Sequence, residues 1–171
     1  MELSQQTIVA VKASLPLIQV HGLEISSRMY EILFEKYPQT KALFPESIEK
    51  QPKILTAAIE AYASNIEQIE KLHDNLMYIA NTHVKSHVLE EHYPMVGDAL
   101  IMAMKEVLAD KATPEILEAW GQAYTYLAEI LAMNEKQLYA FTRVSKENPI
   151  ASETDKSKSK VKKSPYQGPV M

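Results

Sequence analysis

The sequence predicts an all-α protein. Glycine is scarce, with four residues in 171, and long stretches consist of alanine, leucine, glutamate, lysine and isoleucine, which form helices or cores. No stretch alternates apolar and polar residues as a half-buried strand would. A chain of this length suits one domain with a substantial core, because a body of this size buries roughly two-thirds of its unfolded surface.

The first part of the chain carries clear helix signals. Ser4 is a good N-cap for a first helix, which Pro16 is expected to interrupt, and Gly22 is expected to break the chain again. A second helix is predicted from about Leu23 to Tyr37. It should stop there because Pro38 disfavours helical geometry at the residue before it.

Further helix-start signals divide the rest of the chain before the tail into helices and loops. Pro52 and Pro94 suit the first position of a helix, and Thr113-Pro114-Glu115 is a strong start signal. The predicted elements are a turn over residues 38–44, a loop over 45–51, and helices over 53–69, 72–88, 94–108 and 114 to 141 or 144. We therefore predict a helical domain over residues 1–144.

Residues 145–171 are predicted to be a disordered tail. The segment is rich in lysine and serine and has few large apolar residues to offset the entropy of ordering. It could be a solvated extension or could contact an acidic surface or a membrane.

Composition excludes several classes of function. The chain has no cysteine, which rules out disulfides, thiolate metal sites and a cysteine nucleophile. The body before the tail is acidic, which argues against nucleic acid as a partner. The start of the chain does not resemble a signal peptide, and no eighteen apolar residues follow one another. We expect a cytoplasmic protein without an integral membrane segment.

Polar residues interrupt the apolar stripes of two predicted helices. His83 and His87 continue an apolar stripe at spacings of three and four, so both are expected to face inward. Glu135 replaces a large aliphatic residue in the last helix, and an inward carboxylate needs hydrogen-bond donors. Tyr30 lies on the inward stripe of its own helix. Taken singly, each of these residues has an ordinary structural explanation in a core.

A family resemblance then connects these residues. The chain resembles the haem domain of flavohaemoglobins and the single-domain bacterial haemoglobins of the Vitreoscilla type over about residues 1–141. The segments that carry the resemblance are Tyr30–Phe34, Leu43–Phe44, Gln51–Leu55, Ala61–Glu67, His83, His92–Gly97 and Ala119–Tyr124. The resemblance implies a globin fold around a haem. Without a C-x-x-C-H motif, that haem would be a non-covalent heme b.

On one side of the haem, the resemblance implies that His83 binds the iron and that Phe44 packs against the ring. Tyr93 and Glu135 match the pair that surrounds this histidine in the family. A carboxylate that accepts a hydrogen bond from the ligating imidazole makes that imidazole more electron-rich. This chemistry suits oxygen activation more than simple carriage.

On the gas-binding side, the resemblance places Tyr30, Gln51 and Leu55. A phenol there can donate a hydrogen bond to dioxygen, which binds with partial negative charge. Pro52 should leave Gln51 at or outside the start of its helix. We therefore predict that Tyr30 dominates oxygen retention and that Gln51 can swing out.

Two residues depart from the family pattern. Thr82 stands where the family usually has lysine, which puts in doubt an ion pair to a haem propionate. His87 is a second histidine one turn beyond His83; it could contact the haem edge or the core, or serve as a second partner of iron or propionate.

Three functions follow as alternatives. The first is a globin that reversibly binds and transports or buffers dioxygen, as a monomer or homodimer. The second is a nitric oxide dioxygenase that depends on a separate flavin or ferredoxin-type reductase, because the tail lacks a Gly-rich phosphate loop and room for reductase domains. The third is a haem-free helical module or sensor in which His83 and His87, with His92 and Glu91 nearby, hold a metal ion.

Overall fold

The computed structural model describes residues 2–44 and 48–147, and within them it contains five α-helices and no strand. The all-α prediction is confirmed. The helices are α1 (Gln5–Lys36), α2 (Gln51–Ser64), α3 (His73–Lys85), α4 (Tyr93–Leu108) and α5 (Pro114–Glu147). Short 3-10 segments join them at Pro38–Leu43, Ile48–Lys50, Ile69–Leu72, Glu90–His92 and Ala109–Lys111.

Helix α1 is continuous, so the predicted breaks at Pro16 and Gly22 are wrong. Ser4 caps the helix as predicted, since its Oγ accepts a hydrogen bond from the Thr7 N–H at 3.1 Å. Pro16 lies on the exposed side of the helix, where water can satisfy the backbone carbonyl that a proline leaves unpaired.

Gly22 does not interrupt α1; it lets α1 and α2 pack closely together. It is buried where α1 contacts α2, and a Cβ added there would lie 2.9 Å from the Thr56 Cγ2 atom. Only a residue without a side chain lets the two helices approach this closely.

Helix α2 starts and ends earlier than predicted. It begins at Gln51 rather than Lys53, and it ends at Ser64 rather than Ile69. Asn65 ends it, because both its backbone N–H and its side-chain amide donate to the Ala61 carbonyl oxygen, at 3.2 and 2.9 Å. An asparagine that bonds the preceding turn in this way competes with further helical hydrogen bonds.

Helix α3 ends at Lys85, short of the predicted Val88. The backbone of His87 has a φ of 59°, in the left-handed region. The N–H of Val88 donates to the His83 carbonyl at 2.9 Å, and the N–H of His87 donates to the Val84 carbonyl at 3.2 Å. This pair of bonds is a Schellman motif, with a histidine where glycine is usual.

The observed bounds of the last two helices agree better with the predicted bounds. Helix α4 begins at Tyr93, one residue before the predicted Pro94. The Thr113 Oγ1 atom accepts from the Ile116 N–H at 3.3 Å, as its start signal predicts for α5. The α5 backbone continues to Glu147, beyond the boundary predicted at residue 144. The tail prediction for 148–171 lies outside the described residues.

The core forms where α1 packs against α2, α4 and α5, and α3 packs against α5. Buried polar groups tie these helices together: Trp120 Nε1 donates to Ser14 Oγ at 2.9 Å, and the Tyr62 hydroxyl donates to the Ala123 carbonyl at 2.8 Å. The largest fully buried side chains are Trp120, Ile18, Ile25, Met29, Leu33 and Met104.

Helix α1 is long and apolar enough to cross a membrane, judged by length and composition alone. Its buried residues pack into the core that it shares with α2, α4 and α5, and the central helix of a folded domain meets the same test. The absence of an integral membrane segment stays a prediction.

Candidate functional site

A large apolar cavity lies among all five helices and is the candidate functional site. The empty space in and around it, open solvent at its mouth included, is about 1120 Å³. Cofactor and ligand pockets in proteins are mostly apolar and contain a few placed polar groups. Tyr30, Phe44, Leu55, His83 and Tyr93, all selected from the sequence, line this one cavity.

The predicted partners of His83 are in contact with it. The His83 Nδ1 atom lies 2.7 Å from Glu135 Oε1 and 3.0 Å from the Tyr93 hydroxyl. The Tyr93 hydroxyl donates to the same Glu135 oxygen at 2.5 Å. Glu135 is only 3% exposed, and it is brought to His83 because α3 packs against α5. The carboxylate that the sequence placed on an apolar stripe therefore has its donors.

This hydrogen-bond set fixes which nitrogen of His83 is free. Burial and the hydrogen bond to Glu135 raise the pKa of Tyr93 well above its usual value, so this residue remains a phenol that donates. Glu135 accepts that bond as a carboxylate, and so Nδ1 of His83 must carry the proton that it shares with Glu135. A neutral imidazole protonated at Nδ1 has a lone pair at Nε2, which is the nitrogen that can bind a metal.

Three aromatic rings form another part of the site. The Tyr30 ring centroid lies 5.9 Å from that of Phe34 and 5.5 Å from that of Phe44, and Phe34 and Phe44 are themselves 5.5 Å apart in an edge-to-face contact. Such contacts hold aromatic rings in place. Tyr30 lines the cavity, and its hydroxyl has no hydrogen-bond partner within the described part of the chain. Burial raises its pKa above the usual value, so it stays protonated and can donate to a molecule in the cavity.

Gln51 and Leu55 differ in position. Leu55 is buried and lines the cavity, as predicted. Gln51 is the first residue of α2 and does not line the cavity, although its Oε1 atom is buried with no partner among the described residues. The prediction that Gln51 lies at the helix start agrees with this position.

His87 does not face inward, so that prediction is wrong. Its side chain is exposed and does not line the cavity, because the chain reverses in the Schellman motif after Lys85. Among residues 2–44 and 48–147, no cluster of three or more His, Asp or Glu residues is placed to hold a metal ion. The haem-free metal site of the third alternative therefore has no support in this part of the chain.

Ser86 and His92 also line the cavity; the sequence analysis did not select Ser86 as a site residue, and it considered His92 only as a ligand in the haem-free alternative. Ser86 caps the C-terminus of α3, and His92 ends the 3-10 segment before α4. Neither follows a helical stripe, because the backbone between α3 and α4 is irregular. Only the three-dimensional path of residues 86–92 brings them to the cavity.

Comparisons with known proteins identify similar chains. The globin family profile matches residues 27–131. An uncharacterized globin-like protein of Aquifex aeolicus is 47% identical over 138 residues, covering 81% of this chain and 98% of that protein. A flavohemoprotein of Oceanobacillus iheyensis is 39% identical over 80% of this chain but only 34% of its own length. This chain thus spans about a third of the flavohemoproteins that it matches.

A solved structure shows the same relationship. An engineered carbene transferase from Rhodothermus marinus superposes with a TM-score of 0.80 and 40% sequence identity. The match covers 82% of this chain and 99% of the other.

Proposed function

Because the chain belongs to the globin family, we propose that it is a haem globin that binds dioxygen reversibly and reacts with nitric oxide. Family membership also confirms the predicted fold, a set of α-helices around a ligand cavity. The observation that carries the proposal is the hydrogen-bonded set of His83, Tyr93 and Glu135 on the wall of that cavity.

The residues of the cavity fit a haem. His83 offers a free Nε2 atom to the iron, and the apolar wall that includes Phe44 and Leu55 suits a flat hydrophobic ring. The chain has no cysteine to form thioether bonds to a haem, so the haem would be bound non-covalently, and we propose that it is of the b type. When bound, haem supplies an iron atom that takes up diatomic gases.

Glu135 and Tyr93 make the imidazole of His83 more electron-rich. Glu135 holds the proton on Nδ1 and gives the imidazole more negative character, which makes Nε2 a stronger donor to iron. Tyr93 contributes by donating to the same carboxylate oxygen, which keeps Glu135 oriented toward His83. Hydrogen-bond partners of this kind change metal affinity or activity by about 10- to 100-fold when they are removed.

Tyr30 supplies the hydrogen-bond donor on the gas-binding side. Its hydroxyl is free to donate, and the rings of Phe34 and Phe44 limit its movement. A hydrogen bond to a ligand with partial negative charge contributes roughly 1–3 kcal/mol to the free energy of binding. Tyr30 should therefore favour dioxygen over carbon monoxide, which is less polarised.

A second function, that of a nitric oxide dioxygenase, is favoured by the relatives. Several curated relatives are flavohemoproteins, and the Rhodothermus marinus protein is named as a candidate nitric oxide dioxygenase. This chain spans about a third of those flavohemoproteins, and we propose that a flavin or ferredoxin-type reductase supplies the electrons for repeated turnover.

One experiment tests both functions. The purified protein is reduced, exposed to air and followed by ultraviolet-visible absorption, and the oxygenated form is then mixed rapidly with nitric oxide. Dioxygen binding predicts reversible spectral changes on removing and restoring air. Dioxygenase function predicts stoichiometric nitrate, with continued turnover only when a reductase and NADH are added. A protein purified from haem-supplied cells without a Soret band would contradict both proposals.

A further inference from the structure

Helix α1 exposes an apolar stripe that the rest of the described chain does not cover. This outer stripe consists of small and large apolar residues at alternating steps of four and three: Val9, Ala13, Pro16, Val20 and Leu23. Val9, Val20 and Leu23 are 56%, 76% and 49% exposed. Only 33% of the most apolar 18-residue stretch of α1 is buried, so this helix carries more apolar surface than the core uses.

The spacing of the outer stripe is that of a coiled-coil contact line. Alternating steps of four and three residues keep successive side chains on one narrow line of a helix, where a second helix can pack against them. The core contacts of α1 come from its opposite face, which carries Ile18, Ile25 and Met29. The outer stripe is therefore a second apolar face, and a continuous exposed apolar face marks an interaction site.

The charges beside the outer stripe argue against a charged partner. Lys12 lies on one flank, and its Nζ atom is already bonded to Glu67 Oε2 at 2.6 Å. Glu24 lies on the other flank, 3.7 Å from Nδ1 of His21. An anionic membrane would need several basic residues beside the apolar face. An uncharged stripe between one lysine and one glutamate fits another copy of itself instead.

The outer stripe is self-complementary when two copies pack antiparallel with Pro16 at the two-fold axis. Val9 of one copy then lies opposite Leu23 of the other, and Ala13 lies opposite Val20. Small residues thus face large ones, which fills the contact evenly. In a parallel pair Ala13 would face Ala13 and leave a gap, so the sequence of the stripe favours the antiparallel arrangement.

We propose that two copies of the chain associate through the outer stripe as a weak, two-fold symmetric dimer. The stripe runs for about 21 Å along α1, at 1.5 Å per residue. One helix face of that length buries less than the roughly 800 Å² per partner of a standard interface, so we expect a dissociation constant of about 10–100 µM. In this arrangement Lys12 lies opposite Gln19 of the second copy, so no like charges meet. The association does not depend on haem.

Pro16 gives a direct test, because its two copies would meet at the axis. Pro16→Glu and Pro16→Lys each place two like charges there, and Pro16→Ala is the uncharged control. All three remove a proline from a helix interior, so none should unfold the single chain; circular dichroism checks this. Sedimentation velocity of the full chain over about 1–500 µM then measures its mass.

We expect the unmodified protein and Pro16→Ala to pass from monomer to dimer over this range. Pro16→Glu and Pro16→Lys should each associate at least about tenfold more weakly, because like charges meet in the contact. An equal mixture of these two variants should recover the dimer, since opposite charges then meet at the axis.

Cross-linking tests the orientation, and the absence of native cysteine removes any background. A mixture of Val9→Cys and Leu23→Cys, treated with a short bifunctional thiol reagent, should give mainly the mixed product in mass spectrometry. Leu89→Cys, which is exposed outside α1, is the control and should give little product.

Three results would overturn the proposal: a monomer at every concentration, a dimer that Pro16→Glu leaves unchanged, or Val9→Cys that cross-links mainly to itself. Vesicles of phosphatidylcholine and phosphatidylglycerol test the other occupant. If they bind the unmodified protein but not Pro16→Glu, and the mass stays that of one chain, the stripe docks on a membrane and the proposal is wrong. None of these measurements uses the Soret band, so this proposal and the proposed function fail separately.

Discussion

Gly97 offers a sharp test of how closely the helices around the cavity are packed. It lies inside α4, and no described glycine has a positive φ, so its backbone accepts an alanine. A Cβ at Gly97 would lie 2.6 Å from Cε1 and 2.8 Å from Cδ1 of Tyr124. Non-bonded carbon atoms prefer about 3.5–4.0 Å, so the Tyr124 ring would have to move by about 1 Å.

The cost of Gly97→Ala follows from three effects. Overpacking a core costs about 1–3 kcal/mol. Displacing Tyr124 weakens the 2.8 Å hydrogen bond from its hydroxyl to the Tyr93 carbonyl, which contributes about 1 kcal/mol. Alanine gains about 1 kcal/mol over glycine in a helix interior. The net expectation is a destabilisation of about 1–3 kcal/mol.

Gly121 in α5 provides the matched control. A Cβ added there meets nothing within 4 Å, so Gly121→Ala keeps the gain in helix propensity without the clash. It should stabilise the protein by about 0.5–1 kcal/mol.

The assay is urea unfolding followed by circular dichroism, with melting temperatures as a second readout. The free energies of unfolding of the two variants should differ by about 1.5–4 kcal/mol, and each kcal/mol shifts the melting temperature by about 2–4 °C in a chain of this size. Equal stability of Gly97→Ala and Gly121→Ala would refute the reasoning.

Three other predictions concern the site and its surroundings. Tyr30→Phe should speed dioxygen dissociation by about tenfold or more in stopped-flow measurements, because it removes a donor to a polar ligand; a larger effect from Gln51→Ala would contradict this assignment. His87→Gly should raise the free energy of unfolding by about 1 kcal/mol without changing the Soret band, since it relieves a left-handed φ at an exposed site; a loss of stability or a shifted band would count against it. Burial raises the pKa of Tyr93 and of Tyr124, so these phenols hold their protons longer in the folded state than in the unfolded state. Stability should therefore be complete below about pH 10 and fall as the pH rises further, more steeply in the unmodified protein than in Tyr93→Phe; urea titrations across that range measure the slope.

The polar centre of the site was predicted in two steps: the pattern of apolar residues singled out Glu135, and the family resemblance supplied His83 and Tyr93 as its partners. Glu135 interrupts an apolar stripe, which is costly unless donors are nearby, and His83 and Tyr93 are those donors in the structure. The helices that carry them were predicted from the same periodicity.

What the sequence did not predict depends on contacts between distant parts of the chain. Gly22 was interpreted as a helix breaker, but its role is set by Thr56 on another helix. His87 fitted the stripe of α3 by spacing, yet the helix stops two residues before it, and no rule of periodicity places that stop. Ser86 and His92 reach the cavity through irregular backbone, which has no repeat to follow.

The central claim is that His83 binds iron and that Glu135 makes it an electron-rich ligand. Resonance Raman spectroscopy of the reduced, gas-free protein tests this claim directly, because the iron–histidine stretching band reports whether the bond exists and how strong it is. We predict that the band is present in the unmodified protein, absent in His83→Gly, and shifted to lower frequency in Glu135→Gln, because the amide is a weaker acceptor for the Nδ1 proton. A band that persists in His83→Gly, or that keeps its frequency in Glu135→Gln, would contradict the account.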